Sequence, residues 1–363
     1  MSTVDRSVAG ERLRGIPGPG AERGASKRTP DWGRVALQLT ASPHIKAPDS
    51  TERIMWTVVA SLLPVVLAAG WYFGASAWLV IATATLGAVG TERLLSGGAS
   101  VRDGSAAITG ILLGLTLPAG MPLWMVLLGS VFGIAFGKLL FGGLGQNVFN
   151  PALVGRAFLQ AAFPVAITTW PVPRQGFLAQ VGDTFALPLM SPAVDVTTTA
   201  TPLADMKFEG TATALNDLVL GGTAGSLGET AGILILLGGA YLALRNYLDW
   251  RIPVGILGTV ALLSAALNLV DPAFPDPLFM IFSGGLLLGA VYMATDMVTS
   301  PVTRAGAWIF AAGIGFLVVL IRVWGGLPEG VMYAILLMNA MVPFIDRATQ
   351  PRVFGTVRGK EGA

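Results

Sequence analysis

The chain has 363 residues, of which 53% are hydrophobic and 12% charged, and its mean hydropathy is +0.68. A soluble domain carries roughly 25% charge, so this composition excludes a soluble globular protein and points to an integral membrane protein. No cysteine is present, which excludes disulfides, thiolate nucleophiles and cysteine-ligated iron–sulfur or zinc centres, and a single histidine, His44, cannot build a haem or multi-histidine metal site. The net charge of +2 is uninformative as a total; what matters is where the charges fall.

Residues 1–53 are polar, rich in Gly, Pro, Ser and Arg, and carry nine Lys or Arg without an apolar run of signal-peptide length. They read as a cytoplasmic extension, with His44 a solvated residue within it. Apolar segments follow at 54–73, 77–93, 105–119, 121–141 and 148–167, making a first unit over 54–167. A polar loop, 168–229, separates them from segments at 230–248, 252–270, 277–295, 304–323 and 329–346, a second unit over 230–346 before a tail at 347–363. Each segment approximates the ~20 residues that span a bilayer, although 105–119 is short.

With the N-terminus inside, cytoplasmic connections and the tail hold Arg93, Arg102, Lys138, Arg245, Arg251, Arg304, Arg347, Arg352, Arg358 and Lys360. External connections near 74–76, 118–122, 271–276 and 324–328 hold no Lys or Arg, and the long external loop holds only Arg174 and Lys207. The positive-inside rule thus predicts about ten transmembrane helices with both termini cytoplasmic.

Gly110-Ile111-Leu112-Leu113-Gly114 in the third segment is echoed by Gly285-Leu286-Leu287-Leu288-Gly289 in the eighth, and Gly142-Gly143-Leu144 by Gly325-Gly326-Leu327. The matching order predicts an all-α membrane fold of two five-helix repeats, inverted because five crossings is an odd number. The third and eighth segments run into Pro118 and Pro301 through small and polar residues, so both are expected to be broken helices beside a central pathway.

Chemistry is expected at four places. The turn from Gly142 to Pro151 offers close backbone approach and the amides of Asn147 and Asn150; capping of the next helix explains Asn150 well and Asn147 poorly. Arg156 is a charge inside an apolar segment, at a cost of at least ~2.5 kcal/mol at mid-helix, and is read either as a pathway residue or as snorkelling to the cytoplasmic face. Asp296 closes the eighth segment as a candidate ion-facing carboxylate, and Asp346-Arg347 reads as an interfacial pair. Trp56, Trp71, Trp78, Trp170, Trp250 and Trp324 fall near segment ends and read as an aromatic belt rather than as cofactor stacking.

The fourth place is Asp195-Val196-Thr197-Thr198-Thr199-Ala200-Thr201 in the external loop, four threonines in five residues among apolar surroundings. It fits Asp-x-x-(Ser/Thr)-x-Ala-Thr, the pattern a flavin transferase reads when it links FMN through its phosphate to the final threonine. Together with the turn GGLGQNVFNPALVGRAFL (142–159) and NAMVPFIDRATQPRVFG (339–355), it resembles the NqrB/RnfD family over roughly residues 40–355. These are membrane subunits of ion-pumping electron-transport complexes. Thr199 stands where that family often has Gly, at a position the pattern leaves variable.

The resemblance implies a urea-transporter-like fold in a bacterial cell inner membrane, the long loop periplasmic. It implies covalent FMN at Thr201, with Thr198 and Asp195 as recognition or supporting residues, and a noncovalent riboflavin near Asn147 and Asn150. It further implies electron transfer between ferredoxin and NAD coupled to Na⁺ or H⁺ movement, with other Rnf-type membrane, iron–sulfur and flavin subunits as partners and no nucleic acid. The chain has no nucleotide fold, so it is not catalytically complete alone. The rival reading is a cofactor-free channel or transporter for a small polar solute, which suits inverted repeats equally but leaves the threonine pattern unused. A purely structural anchor for a complex is a third reading.

Overall fold

The computed structural model describes residues 49–96, 103–173, 184–188, 190, 199–229 and 232–351. Among them the secondary structure is helical, and six helices are long and apolar enough to cross a membrane. They are α1 (Thr51–Phe73), α2 (Ala75–Ser96), α4 (Leu123–Gly137, continued by a short turn to Phe141), α10 (Arg251–Val270), α13 (Arg304–Trp324) and α14 (Val331–Thr349). Shorter helices stand between them: α3 (Ser105–Leu115), α5 (Pro151–Ala162), α6 (Pro164–Thr168), α7 (Pro202–Ala204), α8 (Leu215–Leu220), α9 (Gly232–Leu244), α11 (Pro277–Phe282) and α12 (Leu286–Leu288). A π turn, Gly289–Met293, extends α12.

Large apolar side chains face outward along the helices, among them Leu67, Leu86, Leu237, Leu262 and Phe344. An aqueous protein avoids so continuous an apolar surface, whereas a lipid-facing one requires it. The chain is a multi-pass membrane protein. Inside, one contiguous core joins Leu62, Leu113 and Leu159 of the first half to Ile235, Leu287, Phe310 and Ile335 of the second. Tyr292 ties the halves again by donating its hydroxyl to Ser61 Oγ at 3.2 Å.

Close helix approach explains the small residues. Gly110 and Gly114 of α3 face the backbone of α2 at Thr85 and Ile81, where any side chain would collide. Their echoes sit in other surroundings, Gly285 beside the Glu329 carboxylate and Gly289 against Val331. Asn150 and Pro151 start α5 as the sequence suggests: Asn150 Oδ1 accepts from the Ala152 and Leu153 amides.

Two boundaries differ from the expectation. The predicted segment 148–167 is divided at Phe163–Pro164, because proline cannot donate to the turn behind it. The segment 277–295 is broken at Ser283-Gly284-Gly285, well before Pro301, with Gly284 at φ +67°. The chain then leaves the helix after Met293, so the Thr295-Asp296-Met297 stretch lies in turns, as expected.

Lys138, counted above among the charges of the cytoplasmic connections, is buried. Its Nζ donates to Glu92 Oε1 at 2.7 Å and to Ser105 Oγ at 2.5 Å, and Ser105 Oγ donates to Asp103 at 2.6 Å. The chain of contacts fastens α2, the start of α3 and the end of α4 together. Removing one partner of a buried pair strands the other charge, at a cost of about 3–5 kcal/mol, whereas removing both is far milder. Glu92→Leu and Lys138→Met should therefore each lower the unfolding temperature in detergent, and the double variant should recover most of the loss.

Candidate functional site

At membrane depth an unwound backbone must find its hydrogen-bond partners inside the protein, since lipid offers none. The end of α3 is completed from two directions. Leu227 N donates to Leu117 O at 3.1 Å and Gly228 N to Leu115 O at 2.7 Å, while Arg156 Nη1 donates to Thr116 O. The break between α11 and α12 is completed likewise: Arg322 donates to Met280 O at 2.5 Å and to Ser283 O at 2.9 Å, and Gly285 N donates to Glu329 Oε1. Glu329 also pairs with Arg156 at 2.9 Å. One carboxylate thus links the two interrupted helices, with Glu229, held by Ser226 at 2.7 Å, beside it.

Arg156 is therefore neither free nor reaching toward the face that carries Asn147. It points the other way along α5, into a cavity that it shares with Glu229, Glu329 and Thr201. Gln160, Trp170 and Tyr333 line the same cavity, with Leu203, Leu327 and Met332 as its apolar wall. Trp170 thus departs from the aromatic-belt reading, while Trp71 and Trp324 are exposed as that reading requires.

Thr201 reaches the cavity from a segment folded back on the bundle. It caps α7, its Oγ accepting from Ala204 N at 3.3 Å, and Pro202 supplies the preset first helical turn. Thr199 N donates to Trp170 O at 3.0 Å, placing the end of the threonine stretch against residue 170. Beyond α7, Lys207 Nζ donates to the carbonyls of Ile321, Arg322, Leu327 and Gly325 at the C-terminus of α13. These carbonyls include ones the helix end leaves unpaired, and the helix dipole favours a cation there.

A second cavity lies toward the other end of α5. Asn147, Asn150, Lys138, Asp296, Thr109 and Tyr292 contribute its polar groups amid a mostly apolar wall. Asn150 is already spent: besides capping α5, its Nδ2 donates to Met293 O at 3.2 Å. Asn147 makes only long contacts, 3.3 Å to Phe149 O and 3.5 Å to Asp296 Oδ2, and keeps capacity for something in the cavity.

The structure hence brings the predicted residues together in two groups, Thr201 with Arg156 and Asn147 with Asn150 and Asp296. Asp195 and Thr198 lie outside the described residues. Sequence reading missed Glu229, Glu329, Arg322 and Lys207. Glu229 and Glu329 each end a Gly- or Pro-rich stretch and precede an apolar run, which disguises them as ordinary interfacial acids.

Gly284 marks how tightly the first site is built. A Cβ there would lie 2.6 Å from Leu203 Cδ1, 3.0 Å from Arg322 Nη2 and 3.1 Å from Glu329 Oε1, at a φ that disfavours side chains. Gly284→Ala should cost about 1–3 kcal/mol, read as a lower unfolding temperature. Arg156→Lys, which cannot span both Thr116 O and Glu329 with a planar fork, should also destabilise the protein. An unchanged melting curve for both variants would contradict this account of the break.

Comparison with known proteins points in one direction. The profile of the NQR2, RnfD, RnfE family matches residues 38–355. A subunit of the proton-translocating ferredoxin:NAD(+) oxidoreductase complex of Clostridium ljungdahlii is 43% identical over 335 residues, covering 88% of this chain and 96% of that protein. Its counterpart in the Na(+)-translocating ferredoxin:NAD(+) oxidoreductase complex of Acetobacterium woodii is 41% identical, covering 90% and 98%. The counterpart in the ion-translocating oxidoreductase complex of Stutzerimonas stutzeri is 43% identical, covering 86% and 94%. With this likeness across nearly its whole length, the chain belongs to the NQR2, RnfD, RnfE family.

Proposed function

We propose that this chain is a flavin-bearing membrane subunit of a complex that couples electron transfer between ferredoxin and NAD to movement of Na⁺ or H⁺. FMN is joined through its phosphate to Thr201. The observation that carries the reading is the Thr201 hydroxyl on the wall of a cavity whose other walls suit a flavin. Trp170, Tyr333 and Leu327 supply apolar and aromatic surface for the benzenoid end of such a ring system, and Gln160 and Arg156 supply donors for its polar end. A flavin bound there accepts and releases electrons singly or in pairs. The chain's own residues set its position: Thr201 anchors it, Arg156 and Glu329 hold the cavity floor on the broken helices, and Leu203 and Met332 exclude water. Thr198 and Asp195 serve recognition by a flavin transferase, which leaves a lasting phosphoryl threonine.

The second cavity suits a noncovalent riboflavin, with Asn147 the available amide and Asp296 the neighbouring carboxylate; Asn150 shapes the wall. Other Rnf-type membrane, iron–sulfur and flavin subunits would deliver and remove electrons. In this reading the protein crosses a bacterial inner membrane ten times with both termini cytoplasmic. The six long helices supply six spans, and α3, α5 with α6, α9, and α11 with α12 supply the other four. Helix pairing favours two inverted five-span repeats: α2 packs on α4 as α10 does on α13, and α4 on α5 as α13 does on α14. The contacts α1–α9 and α5–α14 join equivalent helices, as a pseudo-two-fold axis demands.

Denatured protein from cells containing a flavin transferase should give a fluorescent gel band under ultraviolet light, and Thr201→Ala should abolish it. A dark wild-type band would instead leave the solute-channel reading standing. Asp296→Asn should retain the covalent flavin yet weaken ion movement in vesicles containing the assembled complex; full coupling in that variant would remove Asp296 from the ion route.

A further inference from the structure

Thr201 and the two residues after it are packed into the folded protein. Thr201 is 8% exposed, and Pro202 and Leu203 behind it are buried. Its Oγ accepts the capping hydrogen bond of α7, and its carbonyl accepts from Asp205 N at 2.9 Å. Leu203 packs in a cluster with Leu218 and Phe279, and the Lys207 ammonium is seated on four carbonyls at the end of α13. A modifying enzyme must reach the Thr201 hydroxyl, and this docked arrangement leaves it buried and engaged as the cap of α7.

We propose that flavin attachment precedes the docking of residues 201–209 onto α13, and that Lys207 is the latch whose closure ends the period of access. The inference rests on Thr201 being the attachment site. In the transfer, a bond forms between Thr201 Oγ and the flavin-bearing phosphorus of a flavin dinucleotide, and the phosphoanhydride bond breaks. The nucleoside monophosphate leaves with the bonding pair, and the hydroxyl proton passes to a base on the transferase. No oxidation state changes. With the latch open, Thr201 loses its capping partner and can approach in an extended conformation; with it closed, the hydroxyl faces only the cavity.

Modification through a locally opened state scales with the population of that state. The test uses full-length protein made without the transferase, purified in detergent, then mixed with transferase and flavin dinucleotide. Wild type should label slowly. Lys207→Gln, which removes the ammonium, and Phe279→Ala, which loosens the packing under Leu203, should each label at least about tenfold faster while eluting as a single folded species. Two independent loosening changes guard against one variant failing to fold. Wild type labelling as fast as the variants overturns the latch, and so does a failure of both folded variants to gain on wild type. Wild type and Thr201→Ala made together with the transferase serve as the separate control. No fluorescence in that wild type, or fluorescence surviving in Thr201→Ala, would defeat the attachment site itself rather than the latch.

Discussion

Two helices stop inside the bundle, and the backbone they expose must be satisfied without water. That requirement orders the rest of the structure. It explains why an apolar protein keeps Arg156 and Arg322 at depth, each donating to carbonyls that a broken helix releases. It explains why residues 226–229, formally part of a loop, turn inward to pair with Leu115 and Leu117. It also explains the position of Glu329, which accepts from Gly285 and neutralises Arg156 in one placement.

Such a solution has an electrostatic consequence. Two guanidinium groups brought into low dielectric demand counter-charge, and Glu329 supplies it to Arg156, with the Glu229 carboxyl, held by Ser226, beside them. The result is a compact polar island between the tips of the broken helices, with a cavity opening beside it toward Thr201. The same logic operates at the other end with a smaller set, where Lys138, Glu92 and Ser105 lock three helices and leave Lys138 on the wall of the second cavity.

Composition and periodicity made the helical membrane fold legible, and the Gly–Asn–Pro turn announced the start of α5 because capping is a local matter. A pattern read along the chain singled out Thr201, and the fold sets that residue on the wall of the first cavity. What stayed hidden depended on contacts distant in sequence. Arg156 and Glu329 are 173 residues apart, and Lys207 finds Leu327 across 120. A lone charge beside an apolar run looks alike whether it meets headgroups or a broken helix. The break at Gly284-Gly285 was missed for a related reason: paired glycines are common where helices pack, and only the neighbours Leu203, Arg322 and Glu329 distinguish a break from a close crossing.

Helix α5 begins at Pro151 on the wall of one cavity and reaches Gln160 on the wall of the other. Nine residues at a rise of 1.5 Å make roughly 13 Å, less than half the ~30 Å thickness of a hydrocarbon layer. The two cavities therefore lie close together at opposite ends of one short helix, separated by packing around Leu153 and Leu159. The thickness of the partition between the two cavities is written in the length of that one short helix.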